Sequence, residues 1–393
     1  MLNGVAIARI STVAFFVKTQ LLTQLKQISN TGANLYVITS LSTGSEDLQK
    51  CEYFNYKIIP IKRKLSFWSD MWAFGKLFVF FRKNRIIINH STTPKAGLIS
   101  SISGFFACVP IRLHTFTGQA WVNKAHFQYL IGWLGDYIIA LFCTHCYADS
   151  RAQKEFLIDK KIICKSKISI IGSGSLAGVD LCRFNALRFS EYEKKGTLES
   201  LGIPKKSFVI TFVGRVNRDK GILELVRAFQ AAKKLLPNLH LVIVGEVDNY
   251  SGSNQTAIRI NFNEVDDLHY MGHSDEPERY LSITNVLCLP SYREGFGTVV
   301  IEAAAMGIPV IASDIYGLKE SVIHMETGIK IQPKSEKDLE NAIIMLASDE
   351  SLCKKLGVKA LDHVVSKFNS QMVNNELIRD YELKIKALKN CEK

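Results

Sequence analysis

Asn285-Val-Leu-Cys-Leu-Pro-Ser-Tyr-Arg-Glu-Gly-Phe-Gly-Thr-Val-Val-Ile-Glu302 reads as an apolar strand, a glycine-punctuated loop and the opening of a helix. Strand, loop and helix in that order are the unit of a doubly wound α/β sheet, which binds ligands beyond the carboxyl ends of its strands. Two acids frame the loop: Glu294 within it and Glu302 one turn into the helix. The N–H groups at Gly297 and Thr298 stand at a helix start, where the first donors lack intrahelical partners and the dipole favours an anion. Two carboxylates beside a phosphate cradle suit an anion that also carries vicinal hydroxyls, because a carboxylate accepts from both. The plainer alternative is a solvated loop Glu and a helix-surface Glu. Against it, Glu302 sits in the apolar run Val299–Met306, where an unpaired acid is costly.

The same grammar extends in both directions. Strands are expected at 5–10, 35–39, 56–61, 85–89, 110–114, 143–148 and 167–171, then at 208–213, 239–244, 268–271, 286–289 and 310–312. Amphipathic segments separate them, the clearest being Gly221–Leu236, with Ile222, Leu225, Val226, Phe229, Ala232 and Leu236 on one side. A chain of 393 residues exceeds what one hydrophobic core normally holds. The expected organisation is therefore two Rossmann-like domains, residues 1–185 and 207–370, joined by a charged linker at 186–206 and facing each other across a cleft. The tail 371–393 is expected to cross back and brace the first domain.

Composition narrows the function. Hydrophobic residues make up 47% and charged residues 22%, which excludes a disordered chain. The charge is lopsided: residues 1–200 hold 25 Lys and Arg against 12 Asp and Glu, while the remainder holds 24 against 25. Only the first half is thus built to meet an anionic surface. Its most distinctive part, residues 57–85, interleaves Lys57, Lys62, Arg63, Lys64, Lys76, Arg82, Lys83 and Arg85 with Phe67, Trp68, Trp72, Phe74, Phe78, Phe80 and Phe81. That mixture fits an interfacial element on an anionic membrane, or equally a solvated helix with inward aromatics. No nucleic-acid module accompanies it. The nine scattered cysteines suit a reducing compartment, and Cys143-Thr-His-Cys146 has no second pair with which to hold zinc. Without a basic, apolar leader or a long apolar span, the expected location is cytoplasmic, peripheral at the inner face of the cell membrane.

Four segments are expected at the cleft. Phe212-Val-Gly-Arg-Val-Asn-Arg-Asp-Lys-Gly221 follows the first strand of the second domain, with Gly214 for a tight turn and Arg215 and Lys220 as two cations suited to a diphosphate. Pro290–Glu302 is the loop already quoted. Ile171-Gly-Ser-Gly-Ser175 ends the first domain. Arg112-Leu-His-Thr-Phe-Thr-Gly118 carries His114, read as a strand-end residue that touches a sugar hydroxyl or, as readily, as a satisfied core histidine.

Taken together, Ser91-Thr-Thr-Pro-Lys-Ala-Gly97, Leu113-His-Thr-Phe-Thr-Gly-Gln-Ala-Trp121, Gly172-Ser-Gly-Ser175, Phe212–Gly221 and Pro290–Glu302 resemble the retaining glycosyltransferases of family 4, of the GT-B fold. Within that family the chain is most similar to the branch that builds bacterial O-antigens and capsular polysaccharides. The resemblance covers about residues 91–332. It implies a metal-independent hexosyltransferase moving a hexose or N-acetylhexosamine from a nucleoside diphosphate sugar, UDP by preference, to a polyprenyl-diphosphate-linked or other saccharide acceptor, with no separate cofactor. By position, Glu302 takes the ribose hydroxyls and Glu294 the donor sugar. Arg215 and Lys220 clamp the diphosphate, Phe296, Gly297 and Thr298 form the amide loop, Met271 and Gly272 lie beside the base, and His114 reaches a sugar hydroxyl. Relatives carry a glycine-rich first loop where this chain has Arg9-Ile-Ser-Thr-Val-Ala-Phe-Phe-Val17. The competing readings are a UDP-sugar 2-epimerase of the same fold and a non-catalytic basic protein that binds membranes or nucleic acid.

Overall fold

The computed structural model describes residues 2–62, 66–119, 121–122, 125–247 and 262–391. Arg63 and Lys64 of the basic stretch, and Ala120 of the Leu113–Trp121 motif, lie outside these residues. The chain divides into two compact units, residues 1–178 with 370–393, and residues 179–369.

The first unit runs β1 (Ala6–Val13), α1 (Ala14–Phe16), a π turn (Val17–Leu21), α2 (Leu22–Asn30), β2 (Asn34–Ser40), α3 (Ser45–Gln49), β3 (Asn55–Ile58), α4 (Phe67–Lys83), β4 (Ile88–Ser91), α5 (Pro94–Phe106), β5 (Ile111–Phe116), α6 (His126–Phe142), β6 (His145–Ala148), α7 (Arg151–Asp159) and β7 (Ile168–Ile170). Its strands are all parallel, in the order β3-β2-β1-β4-β5-β6-β7. The second unit contains α8 (Glu191–Ser200), β8 (Phe208–Val213), α9 (Ile222–Leu235), β9 (Leu239–Val244), β10 (Leu268–Gly272), α10 (Pro277–Leu281), β11 (Val286–Leu289), α11 (Thr298–Ala305), β12 (Val310–Ser313), β13 (Gly328–Ile331), α12 (Glu336–Ser348) and α13 (Glu350–Lys367). Its parallel order is β10-β9-β8-β11-β12-β13. Both sheets are Rossmann-like, with the order reversing at the centre: between β1 and β4 in one, between β8 and β11 in the other.

The central strands are buried on both faces and therefore read as apolar runs rather than alternations: β9 and β11 are buried at every position. This is why the expected strands fall where the chain is most continuously apolar. Two elements depart from the expectation. The stretch 186–206 is no open linker: it folds within the second unit as a 3₁₀ turn (Ala186–Arg188) and α8, which Ser190 and Glu193 start with a reciprocal capping box. β13, the edge strand Gly-Ile-Lys-Ile, was not anticipated, because Lys330 breaks its short apolar run whereas β11, equally short, is apolar throughout.

The last helix, α14 (Ser370–Cys391), belongs to the first unit. Leu377, Tyr381 and Ile385 enter its core beside Ile7, Leu25 and Ile88. A polar tier seats the helix. Arg9 Nη1 donates to Tyr381 Oη at 2.9 Å and lies 3.1 Å from His90 Nδ1, while Gln24 Nε2 donates to Asn374 Oδ1 at 2.9 Å. Cys143 and Cys146 are buried free thiols. Among the described residues no helix is long and apolar enough to cross a membrane.

Candidate active site

The reversal of strand order in the second sheet opens a crevice between the loops that follow β8 and β11. The first loop leaves β8 through Gly214 (φ +150°), makes a 3₁₀ turn at Arg218–Lys220 started by Asn217, and enters α9 through Gly221. Asn217 Oδ1 accepts from the Lys220 amide at 3.1 Å, which fixes the direction in which the lysine leaves the turn. Gly221 has φ +69°, and a Cβ there would lie 2.1 Å from the Pro290 carbonyl oxygen. The loop after β8 therefore rests directly on the loop after β11.

Three contacts fasten the two loops. The Tyr292 amide donates to the Asp219 carbonyl at 2.8 Å. Arg293 donates through Nε and Nη2 to Asp219 Oδ2, at 3.0 and 2.8 Å. Lys220 Nζ meets Glu294 Oε1 at 2.5 Å, with both side chains mostly buried. Two residues that sequence reasoning placed in one site, 74 positions apart, are thus brought together. Glu294 is braced from behind as well, since a Cβ on Gly317 would stand 2.1 Å from its carbonyl oxygen.

Beyond Glu294 the chain turns through Gly297 (φ +73°), the N-cap of α11. Leu318 Cδ2 would lie 2.4 Å from any Cβ at this position, so both backbone conformation and space call for glycine. The helix starts at Thr298 and places Glu302 just past its first turn. Phe296, by contrast, points into the core and packs edge-on to Phe368 at 5.1 Å, leaving its backbone to serve the loop.

Glu302 is half-buried. Burial pushes its pKa up to about 7; Arg183 pulls the other way and Glu278 adds to the rise. Arg183 is engaged by Glu278, Nε to Oε1 at 3.0 Å and Nη2 to Oε2 at 2.9 Å. Neither Arg183 nor Glu278 was singled out from sequence, because nothing local ties them to a residue more than a hundred positions away or on another helix. The nearby recess of about 530 Å³ between α8 and α10 includes Glu278 and Arg279 in its lining but none of the crevice residues. We place the chemistry at the crevice, where the strand ends and the paired charges converge.

Arg215 is exposed on the β8 loop, and Met271 lies half-buried at the end of β10. That strand end abuts the β8 loop: the Gly245 amide donates to the Gly272 carbonyl at 2.6 Å, and a Cβ on Gly245 would sit 1.8 Å from the Gly214 carbonyl oxygen. Gly214, Arg215, Lys220, Glu294, Phe296, Gly297 and Thr298 therefore belong to loops or a helix start at one end of the second sheet, with Met271 at the end of β10 and Glu302 just past the first turn of α11.

His114 is a correction. It lies inside β5, not at its end, and is 1% exposed. Its Nδ1 is 2.9 Å from Ser91 Oγ, its ring packs on Phe116, and a Cβ on Gly97 would come within 2.5 Å of Cε1. Burial lowers its pKa to about 3 and keeps it neutral. These are the features of a satisfied core histidine. The loop that leaves β5 instead begins at Thr117 and Gly118 (φ +102°).

Comparison with known proteins gives the family and the fold. Residues 194–363 match the family model described as "Glycosyl transferases group 1". The capsular polysaccharide biosynthesis glycosyltransferase CapM of Staphylococcus aureus is 30% identical over 347 residues, 88% of this chain and 90% of that protein. The UDP-Gal:alpha-D-GlcNAc-diphosphoundecaprenol alpha-1,3-galactosyltransferase of Escherichia coli is 27% identical over 304 residues, 74% of each chain. Among solved structures, Anabaena HepE in complex with UDP-glucose superimposes with a TM-score of 0.80 at 15% identity, over 96% of this chain and 99% of that one. Sucrose-phosphate synthase from Thermosynechococcus elongatus gives 0.80 at 21%, over 98% and 100%. At such identities the structural likeness speaks for the fold alone.

Proposed function

The chain belongs to the group 1 glycosyltransferases, on the branch that builds bacterial surface polysaccharides, and from that premise we propose that it is a retaining, metal-independent hexosyltransferase. Its donor is a UDP-linked hexose or N-acetylhexosamine, and its acceptor a polyprenyl-diphosphate-linked saccharide. The observation that carries this reading is the Lys220–Glu294 pair, held at the point where the second sheet reverses its strand order.

In this reading the donor diphosphate takes Lys220 and Arg215, and the amides at Gly297 and Thr298 receive its remaining oxygens. Lys220 then exchanges Glu294 for phosphate, which frees Glu294 to accept from donor-sugar hydroxyls. Glu302 accepts from the two ribose hydroxyls, and Met271 packs beside the base. The acceptor hydroxyl attacks the anomeric carbon from the face that the diphosphate leaves. The bond from that carbon to the diphosphate oxygen breaks, its electron pair stays on the diphosphate, and the acceptor proton follows it there. Lys220 and Arg215 stabilise the charge that develops, so configuration is kept without a glycosyl-enzyme intermediate. A lipid-linked acceptor brings the enzyme to the cytoplasmic face of the membrane, with the basic, aromatic α4 toward the lipid.

Support for the donor and acceptor classes comes from the activity for which the E. coli relative is named and from the chemistry of the loops after β8 and β11. The test is calorimetric titration with UDP, GDP, ADP and CMP, using Glu302→Ala as control. Transfer from UDP-sugars to a polyprenyl-diphosphate-linked acceptor follows, with anomeric configuration read by NMR. Selective UDP binding that disappears in the variant, followed by acceptor-dependent transfer, is the expected result. Conversion of the donor in the absence of any acceptor would make the protein an epimerase instead.

A further inference from the structure

The recess of about 530 Å³ in the second unit is walled by α8, with the 3₁₀ turn before it, on one side and by α10 on the other. Gly196 opens it. The residue lies in the interior of α8, where glycine weakens a helix. Neither usual reason for a glycine holds there: its φ is not positive, and a Cβ would meet nothing within 4 Å. Tyr192 stands one turn earlier on the same helix face and is 85% exposed. The glycine thus leaves the space beside the tyrosine empty.

The rest of the lining is polar and nearly balanced in charge. Three cations, Arg188, Lys195 and Arg279, share it with four glutamates. Two of the glutamates are committed: Glu193 accepts from the Ser190 amide and hydroxyl, both at 2.8 Å, and Glu278 holds Arg183. The other two, Glu199 and Glu276, reach solvent, the first 3.5 Å from Lys195. Arg279 is exposed, with its Nε turned to Thr197 Oγ1 at 3.3 Å. Such a lining suits no ion. A phosphate would meet the glutamates, and among the described residues no group of His, Cys, Asp and Glu is set to hold a metal. An apolar partner would strip water from these charges without pairing them. A neutral, hydroxyl-rich ligand fits instead. A carboxylate accepts from its hydroxyls, a guanidinium donates to its oxygens, and the tyrosine ring takes the apolar face of a sugar.

We infer that the recess between α8 and α10 is an accessory saccharide site, with a sugar ring stacked on Tyr192 in the space that Gly196 leaves and its hydroxyls shared between Glu276 and Arg279. Its volume falls within the roughly 300–1,000 Å³ of small-ligand sites. The site is separate from the crevice, since none of the residues placed at the nucleotide or the donor sugar lines it. That the hydroxylated ligand is a saccharide rests on the transferase reading; the chemistry of the lining does not. A saccharide chain held there stays tethered while its reacting end is exchanged, which raises its effective concentration.

The test is saturation-transfer NMR of the full chain with lactose, maltose and chitobiose, with UDP in excess and glucose 6-phosphate as an anionic control. The wild type is expected to bind at least one neutral disaccharide, with a Kd in the millimolar range. Gly196→Leu fills the recess and replaces a poor helix former, so it should abolish that signal while the melting temperature stays at or above the wild-type value. Tyr192→Ala should weaken binding about three- to tenfold, and Glu276→Gln about tenfold. UDP titration should be unchanged in all three variants. Failure of the wild type to bind any neutral disaccharide, undiminished binding in Gly196→Leu, or a preference for glucose 6-phosphate overturns the inference. Disaccharide binding that the three variants weaken, in a protein that takes up no UDP, would sink the transferase proposal and leave the recess site standing.

Discussion

The two Rossmann-like units share one topology and finish it in opposite ways. At the strand-order reversal of the second unit, the flanking loops carry two ion pairs, Lys220–Glu294 and Arg293–Asp219, with a glycine at each turn that needs one. At the corresponding place in the first unit, β1 continues to Val13 and the contact is hydroxyl to backbone, Thr93 Oγ1 accepting from the Thr12 amide at 2.9 Å. A helix beginning Ala14-Phe-Phe16 follows, through a π turn and without a glycine. The topology places a strand-order reversal in both units, but among these flanking loops only those of the second are fastened by ion pairs. The first invests its aromatic residues outward, on α4 and α6. Topology fixes where chemistry can be placed, and the loop residues decide whether it is.

Substitutions at four positions press on that difference. Lys220→Ala should lower kcat by about a hundredfold, the scale of losing one donor to a developing oxyanion, with the melting temperature little changed. An unaltered rate would remove the lysine from the mechanism. Glu302→Ala should weaken UDP binding by about tenfold or more, as expected for a charge-assisted hydrogen-bonding group. In the unsubstituted protein, UDP affinity should rise with pH through about 7, because the ribose hydroxyls favour the ionised form of Glu302. Glu302→Gln should flatten that profile. Stability runs the other way. The raised carboxyl pKa means the folded state holds this proton more tightly than the unfolded one, so its contribution falls as pH rises from the ordinary carboxylate range to about 7. Denaturation of Glu302→Gln against wild type at pH 5 and pH 8 measures the difference.

Smaller effects probe the scaffold. Gly297→Ala should cost about 1–2 kcal/mol from the left-handed backbone alone, with the Leu318 clash added, visible as a lowered melting temperature. In the first unit, His114→Leu should change stability by about 1–2 kcal/mol and leave UDP affinity untouched. A loss of affinity there would return His114 to the site. The histidine also gives that unit an acid sensitivity. Its lowered pKa means stability is full above about 6.5 and declines as pH falls toward about 3.

How much of this the chain declared in advance follows from how local each signal is. β8, β9 and β11 were legible to the residue because a strand buried on both faces is a predominantly apolar run, broken here only by Thr211 and His240. Glu294, Gly297 and Glu302 lie within nine residues, so their spacing already describes a turn and a helix start. β13 and α8 were not seen: Lys330 interrupts the first, and the second's charged surface disguised it as a linker. His114 misled because the register of β5 decides whether a residue near a strand end is buried, and apolar runs place such ends only to within a few residues. Arg183 escaped because its part is electrostatic and acts across the chain on the Glu302 carboxyl, 119 positions away in sequence.

One feature of the architecture concerns the order in which the protein is made. The first unit is left unfinished at residue 178 and completed only by Ser370–Cys391, so the whole second unit is synthesised in between. At about 5–20 residues per second, that interval lasts roughly 10–40 s. Throughout it, Arg9 on the central strand lacks Tyr381 and Gln24 lacks Asn374. The second unit, continuous in sequence, is free to fold first although it emerges later. The nascent chain thus holds a complete second unit before it holds a finished first one, and Ser370–Cys391 supplies the missing part of the first core.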